Sequence, residues 1–346
     1  MTPETRELRI LELYSGIGGM HYAAKLSGKP CHVVWSIDIN TSANAVYRHN
    51  FPQCRQQSRN IESLSAREIN SLKPDVIMMS PPCQPFTRVG LKMDVKDSRC
   101  ASFLHLLEVL PSLPTVRYIL MENVVGFETS QMRDFFIEAL ERCKFHFREY
   151  LLSPDSFGIP NSRKRYYLTA RKIEDFTFSA DDKFITKLPI STAEHCLSRK
   201  TLNEYLEELS PEDLSHYLLP LKVLSKYAAI LDVRQKSDSH SCCFTKAYGH
   251  YAEGTGSVLQ HNSNVDFHAA FQDFTKSSNV ESLEKLQLRY FTPQEISRLM
   301  GFPEEFSFPS SISNRTRYRV LGNSLNVYVV SELFKILVEN FNDTNP

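Results

Sequence analysis

The chain has 346 residues, enough for one large domain together with a smaller one. It is 42% hydrophobic and 23% charged, and its 40 Lys and Arg residues balance 40 Asp and Glu residues, which is ordinary for a globular enzyme. The zero net charge excludes a protein that coats nucleic acid through its overall charge, so a nucleic-acid substrate would need a local basic surface.

Residues 1–20 contain no uninterrupted apolar stretch of the signal-peptide type, and no apolar run of 18 residues occurs in the chain. We therefore expect no membrane partner and a cytoplasmic location, with the nucleus as the alternative. The eight cysteines lack the CxxC or CxxH spacing of metal ligands, so the sequence predicts neither a metal site nor a disulfide framework.

Short apolar runs alternate with helical patterns from the N-terminus to Arg171. Strands are predicted at residues 10–13, 32–37, 75–79, 118–122, 147–152 and 166–170. Helices are predicted at residues 20–26, 41–50, 98–110 and 130–143, and the capping box Ser65-Ala66-Arg67-Glu68 opens a further short helix. Repeated βα units of this kind predict an α/β fold with a doubly wound sheet.

The regular pattern fades after Arg171. Polar segments at residues 235–241 and 276–282 are predicted to be loops. A second capping box, Thr292-Pro293-Gln294-Glu295, begins a helix that ends at Gly301. The last predicted helix, at residues 327–340, is rich in apolar residues and is expected to pack on the first domain.

A glycine-rich turn, Ser15-Gly16-Ile17-Gly18-Gly19, joins the first predicted strand to the first helix. Glycine lets the backbone approach a ligand closely, and Asp38 ends the next strand, where an acid can accept hydrogen bonds from ribose hydroxyls. The spacing is not GxGxxG, so a nicotinamide dinucleotide fits no better than a nucleoside cofactor such as S-adenosylmethionine. Tight packing without a ligand is a third interpretation of this turn.

Two predicted strand ends carry reactive side chains. The strand at 75–79 leads into Ser80-Pro81-Pro82-Cys83, and the strand at 118–122 ends in Glu122. In a parallel α/β sheet such ends form the ligand crevice, so a thiol and a carboxyl group are predicted to converge there. The prolines stiffen the loop and favour an exposed thiol. The alternatives are a buried structural cysteine and a carboxylate that caps a helix.

A thiolate can attack carbon-6 of a pyrimidine and make carbon-5 nucleophilic, while a carboxylic acid at ring nitrogen 3 stabilises the developing charge. Cys83 and Glu122 suit these two roles. Arg163 and Arg165 alternate before a predicted strand, where arginines can hold the exocyclic oxygen of a base, Glu122 or a phosphate. As an isolated pair, however, two arginines are more often surface charges.

Six motifs occur in order along the chain: Ser15-Gly16-Ile17-Gly18-Gly19, Pro81-Pro82-Cys83-Gln84, Glu122-Asn123-Val124, the Arg163/Arg165 pair, Arg289-Tyr290-Phe291-Thr292-Pro293 and Gly322-Asn323-Ser324. In this order and spacing the chain resembles the cytosine carbon-5 methyltransferase family over nearly its whole length. The resemblance implies S-adenosylmethionine as the methyl donor and S-adenosylhomocysteine as the product. It further implies Cys83 as nucleophile, Glu122 as its partner acid, and Arg163 and Arg165 as supports for the base and for Glu122.

The same resemblance implies a Rossmann-like methyltransferase sheet with a smaller inserted target-recognition domain. The expected domains are a catalytic domain at 1–183, a target-recognition domain at 184–311 and a C-terminal segment at 312–346 that returns to the catalytic domain. Where relatives have an aromatic residue beside the ribose acid, this chain has Ile39, which implies an aliphatic contact with adenine. Matching positions imply that the cofactor is surrounded by Ile17, Gly18, Gly19, Asp38, Ile61, Glu62, Ser80, Asn323 and Ser324.

The segments Cys243-Phe244-Thr245-Lys246-Ala247-Tyr248 and Glu253-Gly254-Thr255-Gly256-Ser257 are similar to the tRNA-methylating branch of that family. This similarity implies tRNA as the partner, aspartate tRNA foremost, and a target cytosine in its anticodon loop. An unpaired loop base costs little to extrude, whereas a duplex base costs about a few kcal/mol. We expect a monomer. A DNA cytosine-5 methyltransferase, a non-catalytic RNA-binding protein and a nicotinamide-dependent oxidoreductase are the alternatives, and DNA is expected to be at most a weak partner.

Overall fold

The structure, a computed structural model, describes residues 6–82, 100–172, 174–178, 182–188 and 199–341. The chain divides into two compact units. The first unit comprises Met1–Ser153, Lys164–Ser191 and Leu325–Pro346, and the second comprises Pro154–Arg163 and Thr192–Ser324. The expected domain boundaries, after residues 183 and 311, differ from these junctions, and residues 154–163 belong to the second unit although they were expected in the catalytic domain.

A seven-stranded sheet forms the centre of the first unit, with the strand order β3-β2-β1-β4-β5-β7-β6. Its strands are β1 (Leu8–Leu13), β2 (Cys31–Asp38), β3 (Gln56–Ser58), β4 (Val76–Met79), β5 (Tyr118–Val124), β6 (His146–Leu152) and β7 (Arg165–Arg171). β1 to β5 pair in parallel, whereas β7 runs antiparallel between β5 and β6. The predicted α/β doubly wound sheet is confirmed.

Helices of the first unit bury their apolar residues with those of the sheet. They are α1 (Gly19–Leu26), α2 (Thr41–Asn50), α3 (Ala66–Ser71), α4 (Ala101–Val109), α5 (Gln131–Arg142) and α12 (Val327–Leu337). Strand residues such as Leu11, Ile77 and Ile119 share one core cluster with Phe103 of α4 and Phe136 of α5. α12 packs against α1, β5 and β7, so the prediction that the last helix returns to the first domain is confirmed.

The second unit contains a three-stranded sheet of β8 (Val233–Arg234), β9 (Val258–Gln260) and β10 (Leu288–Tyr290), with β9 in the middle. Its helices are α6 (Pro211–Ser215), α7 (Leu221–Tyr227), α8 (Phe267–Ser277), α9 (Val280–Glu284), α10 (Pro293–Leu299) and α11 (Asn314–Gly322). A separate core cluster, which includes Leu224, Val258, Leu283 and Leu288, holds this unit together.

One predicted loop is wrong. Residues 276–282 contain the end of α8 and the start of α9, because Asn279 is an N-cap whose side chain accepts a hydrogen bond from the Glu281 amide. The polar residues that suggested a loop therefore terminate one helix and begin another. Both predicted capping boxes are confirmed, at Ser65 and at Thr292.

Within the described ranges, one segment, Asn314–Leu337, which contains α11 and α12, is long and apolar enough by composition to cross a membrane. However, 72% of its most apolar window is buried inside the protein. Burial of this extent is typical of helices that pack into a protein core.

Candidate active site

The candidate site begins where β4 and β5 end. β4 pairs in parallel with β5, and Met79 lies opposite Met121, which puts Ser80 and Glu122 one residue farther along each strand. Cys83, the predicted nucleophile, follows shortly after Ser80 and lies outside the described residues. The carboxyl group at the end of β5 thus lies beside the segment that leads to the cysteine, at the edge where α/β sheets bind ligands.

Arg165 forms an ion pair with Glu122. Arg165 begins β7, and the antiparallel pairing of β7 with β5 puts it opposite Val124. Since residues two apart in a strand share a face, Arg165 and Glu122 project to the same side of the sheet. Arg165 Nε lies 3.5 Å from Glu122 Oε1, and both side chains are largely buried. The guanidinium group offsets the cost of burying the carboxylate and orients it.

Two buried polar atoms near this pair lack partners. Neither Ser80 Oγ nor Asn123 Nδ2 has a hydrogen-bond partner among the residues that the structure describes. A buried polar group left unpaired costs about 1–3 kcal/mol, so a ligand that enters the crevice would relieve this cost. The sequence indicated Ser80 through the family resemblance, whereas the unpaired amide of Asn123 became visible only in the structure.

Arg163 has partners of its own in the second unit. Its Nη1 donates to Phe244 O at 3.0 Å and to Cys243 Sγ at 3.3 Å. Its Nη2 donates to Gly322 O at 3.0 Å and also to Ser324 O. The side chain is only 3% exposed. These contacts join the 243–244 segment to the 322–324 turn, and support of the base by Arg163 stays a prediction.

Asn161 reinforces this connection and was missed by the sequence analysis. Its Nδ2 donates to Ser241 Oγ at 3.1 Å and to Cys242 O at 3.0 Å. Ser241 Oγ in turn donates to Pro160 O at 2.6 Å. Together with Arg163, these bonds explain why residues 154–163 belong to the second unit. The partners lie some 80 positions away in the chain, so no local pattern could have revealed them.

The glycine-rich turn of the first unit is held by Asp38. Gly16 N donates to Asp38 Oδ2 at 2.8 Å, and Asn40 N donates to Asp38 Oδ1 at 2.7 Å. Burial raises the pKa of the Asp38 carboxyl above its usual range, although these amide donors act in the opposite direction. The second lone pair of each carboxylate oxygen stays available to hydroxyl donors of a ligand.

Gly18 is required by both its conformation and its surroundings. Its φ of +90° lies in the left-handed region, and a Cβ there would lie 2.7 Å from the Phe51 ring and 3.2 Å from the Tyr47 ring. Gly19 begins α1 directly afterwards. Ile17 is buried in the core, so only its backbone can face a ligand. The turn therefore brings bare backbone to the edge of the sheet.

Ile61 and Glu62 follow β3, the strand that pairs with the end of β2 at Asp38. Both residues lie in the short helical turn Ile61–Ser63. Ile61 is buried and Glu62 is exposed. Ile39 is 71% exposed directly after Asp38, so an apolar surface adjoins the carboxyl group. An acid, bare backbone, an apolar face and the Ser80 hydroxyl, which has no partner among the described residues, together fit a nucleoside cofactor.

Asn323 and Ser324 follow α11 in the second unit, whereas the other predicted cofactor residues belong to the first. Asn323 N donates to Arg319 O at 3.2 Å, and Ser324 N donates to Leu321 O at 2.9 Å. Ser324 O accepts a hydrogen bond from Arg163. The backbone of this turn is therefore fixed.

Glu12 is a buried acid that the sequence analysis missed. It lies in β1, where Tyr47 Oη donates to its Oε2 at 2.7 Å and His21 N donates to its Oε1 at 3.3 Å. Burial raises the pKa of Glu12 to about 8, with a smaller contribution from the charge of Asp38. Tyr47 thus contacts Glu12 and also forms part of the wall against Gly18.

Comparisons with known proteins give one consistent result. The chain is 44% identical to the tRNA (cytosine(38)-C(5))-methyltransferase of Homo sapiens, with 96% of this chain and 99% of that protein aligned. It is 39% identical to the DNA (cytosine-5)-methyltransferase of Dictyostelium discoideum, over 96% of this chain and 94% of that protein. The crystal structure of a Spodoptera frugiperda DNMT2 mutant superposes with a TM-score of 0.86 at 45% identity and covers 96% of this chain and 99% of its own.

The family model for C-5 cytosine-specific DNA methylases matches residues 8–339, a span that includes every predicted site residue. A match of this length, with the conserved sheet and close relatives over nearly the whole chain, establishes the family. This chain is a methyltransferase and belongs to the C-5 cytosine-specific DNA methylase family.

Proposed function

We propose that this protein transfers a methyl group from S-adenosylmethionine to carbon-5 of a cytosine in the anticodon loop of tRNA, with aspartate tRNA as the main substrate. The observation that carries the proposal is the Glu122–Arg165 pair, which lies at the end of β5 beside the segment leading to Cys83. The relatives named for cytosine 38 of tRNA support the choice of substrate, because they match nearly the whole chain.

The proposed chemistry uses Cys83 and Glu122 in turn. The Cys83 thiolate adds to carbon-6 of the cytosine, and the Glu122 carboxyl group, held by Arg165, donates a hydrogen bond or proton at ring nitrogen 3. Carbon-5 then carries the electron pair that takes up the methyl group. A base then takes the carbon-5 proton, the electron pair of that bond re-forms the double bond between carbon-5 and carbon-6 as the Cys83 thiolate leaves, and nitrogen 3 returns its proton to Glu122. When bound, S-adenosylmethionine supplies the methyl group as an electrophile.

The cofactor would be held mainly by the first unit. Asp38 would accept hydrogen bonds from the ribose hydroxyls, and the exposed side chain of Ile39 would contact the adenine. The backbone at Gly18 and Gly19 would approach the cofactor closely, and the φ of +90° at Gly18 favours glycine at that position. Ile61, Glu62, Ser80, Asn323 and Ser324 complete the proposed set.

We assign catalysis to the first unit and target recognition to the second. An anticodon-loop base is unpaired, so it can enter a pocket at little cost in stacking or pairing. The Arg163 and Asn161 hydrogen bonds give the second unit a fixed 241–244 segment for presentation to RNA. A monomer in the cytoplasm, with the nucleus as an alternative location, completes the proposal.

Methylation of DNA is the second candidate. The family is named for DNA, and one relative at 39% identity is named a DNA (cytosine-5)-methyltransferase. A non-catalytic RNA-binding protein is the third candidate, but the buried Glu122–Arg165 pair counts against it, because an unused buried ion pair brings little stability.

Purified protein with labelled S-adenosylmethionine, given equal masses of tRNA and duplex DNA, tests the proposal. The tRNA should come from cells that lack this activity, and bisulfite sequencing should then locate the product. We expect one modified cytosine in the anticodon loop of aspartate tRNA. Preferential labelling of DNA would favour the second candidate, and tRNA binding without product would favour the third.

A further inference from the structure

We propose that Tyr251 and His250, two rings at the tip of the loop 245–256, form a stacking platform for an unpaired anticodon-loop base adjacent to the target cytosine. This inference rests on the proposed function only in taking tRNA as the substrate. The platform lies entirely within the second unit. The two platform side chains would take part in substrate recognition, and they are separate from the Glu122–Arg165 pair in the first unit.

Exposure sets Tyr251 apart from the other aromatic residues of this loop. Its side chain is 63% exposed, whereas Phe244 and Tyr248 of the same loop region are buried. The imidazole ring of His250, which is also exposed, lies 4.6 Å from the Tyr251 ring, centroid to centroid, in an edge-to-face arrangement. The fold thus presents two adjacent rings to solvent.

Backbone hydrogen bonds fix the platform. The amides of His250 and Tyr251 both donate to Ala247 O, at 2.9 Å and 3.1 Å. Thr255 Oγ1 donates to Tyr251 O at 2.7 Å, and Thr245 N donates to Thr255 O at 2.9 Å across the base of the loop. Binding would therefore require little ordering of the loop, which favours affinity.

A buried aromatic cluster supports the loop from below. The Tyr248 ring makes edge-to-face contacts with Phe244, Tyr290 and Tyr318 at centroid distances of 5.0, 5.4 and 5.1 Å. Tyr248 Oη donates to Ser257 O at 2.6 Å. Tyr251 is 63% exposed and is outside this buried cluster.

Cations in the loop and on α11 favour one class of partner. Lys246 and the acid Glu253 are both exposed in the loop 245–256, and Gly249 lies against Tyr318 of α11. α11 also carries Arg315 and Arg319, which are both exposed. Aromatic rings for bases, together with cations for phosphates, fit single-stranded nucleic acid, which is recognised by stacking and by backbone charge. The unpaired anticodon loop provides both groups.

Substitutions at Tyr251 test stacking directly. Tyr251→Ala should raise the Kd for tRNA, measured with S-adenosylhomocysteine present, by about 5- to 30-fold, which corresponds to about 1–2 kcal/mol. KM for tRNA should rise in parallel, while kcat at saturating tRNA should change by less than about threefold, because Tyr251 does not contact the reacting atoms. Tyr251→Phe and Tyr251→Trp should keep affinity near that of the wild type, since both retain a ring.

Phe135→Ala is the matched control. Phe135 is a 43% exposed aromatic residue of α5 in the first unit, so its removal should leave tRNA affinity unchanged. If Tyr251→Ala binds and methylates tRNA as the wild type does, the platform is refuted while the proposed function stands. If the wild type neither binds nor methylates tRNA, both proposals fail together.

Fluorescence gives an independent test. The chain has a single tryptophan, Trp35, which is only 1% exposed and thus serves as an internal reference. In Tyr251→Trp the added emission should be quenched by the anticodon stem-loop, and removal of one loop base beside the target cytosine should abolish the quenching. Quenching that persists whichever loop base is removed would refute stacking on an adjacent base.

Discussion

At the residue scale, burial controls the charge of Glu12. It is fully buried in β1, between the Tyr47 hydroxyl and the His21 amide. Burial raises its pKa from the ordinary value of 4.5 to about 8, so the protonated form predominates in the folded protein at neutral pH. The acid supports the Tyr47 side chain that lies against the glycine-rich turn.

The substitution Glu12→Gln should change how stability depends on pH. In the unfolded chain the carboxyl group loses its proton near pH 4.5, and in the folded protein near pH 8, so its contribution to wild-type stability falls as pH rises through this window. The gap corresponds to about 5 kcal/mol at most. Glutamine does not titrate, so the variant should gain stability relative to the wild type as pH rises.

Urea unfolding at pH 5 and at pH 8 measures this difference. Comparing the variant with the wild type at each pH cancels the titration of His21 and other groups, which both proteins share. If the difference in unfolding free energy between the variant and the wild type is the same at pH 5 and at pH 8, Glu12 is not held protonated.

Other site residues differ in how far the sequence could reveal them. Asp38 and Glu122 each end a predicted strand, so an alternating βα pattern was enough to bring them to the crevice edge. Arg163 and Arg165 share a motif, yet the junction between the two units falls between them. Arg165 reaches Glu122 from β7 to the neighbouring strand β5, whereas Arg163 bonds to carbonyl groups 81 to 161 positions away. Partners at such separations leave no local pattern.

At the element scale, the turn between β1 and α1 depends on close packing. A Cβ on Gly18 would lie against two aromatic rings. One is Tyr47 of α2, and the other is Phe51, the residue that follows α2. Gly28 also has a positive φ, of +68°, but nothing lies within 4 Å of its position. Comparing the same substitution at the two glycines therefore separates the free-energy cost of backbone strain from the cost of crowding.

Gly18→Ala and Gly28→Ala form a matched pair. Gly28→Ala should cost about 1–2 kcal/mol for the left-handed backbone alone, while Gly18→Ala should cost about 1–3 kcal/mol more through overpacking. Displacement of the turn should also weaken S-adenosylhomocysteine binding about tenfold or more in Gly18→Ala only. Thermal melting and calorimetric titration measure both effects, and equal values for the two variants would contradict the packing argument.

The strands and caps were largely predictable, because apolar runs and capping boxes are local signals. All six predicted strands are present, and so are the boxes at Ser65 and Thr292. β3 was missed since its three residues, Gln-Gln-Ser, carry no apolar pattern. The antiparallel direction of β7 was not predicted either, because it depends on the excursion of residues 154–163 into the second unit.

At the scale of the whole molecule, both units are assembled from distant parts of the chain. The first unit takes α12 from the C-terminus, and the second takes residues 154–163 from within the βα region. Composition gave no sign of this interleaving, since the net charge is zero and no linker-like tract separates the units. Only the six ordered motifs, which fall in both units, indicated that the two units serve one reaction.

The covalent bond between Cys83 and the target cytosine is the central claim, and mechanism-based trapping tests it most directly. An aspartate tRNA anticodon stem-loop with 5-fluorocytidine at the target position should form a denaturation-resistant adduct with the wild type in the presence of S-adenosylmethionine, because fluorine cannot leave as a proton does. Cys83→Ala should form none. Methylation of unmodified tRNA by the wild type without any trapped adduct, or by Cys83→Ala at the wild-type rate, would contradict the account.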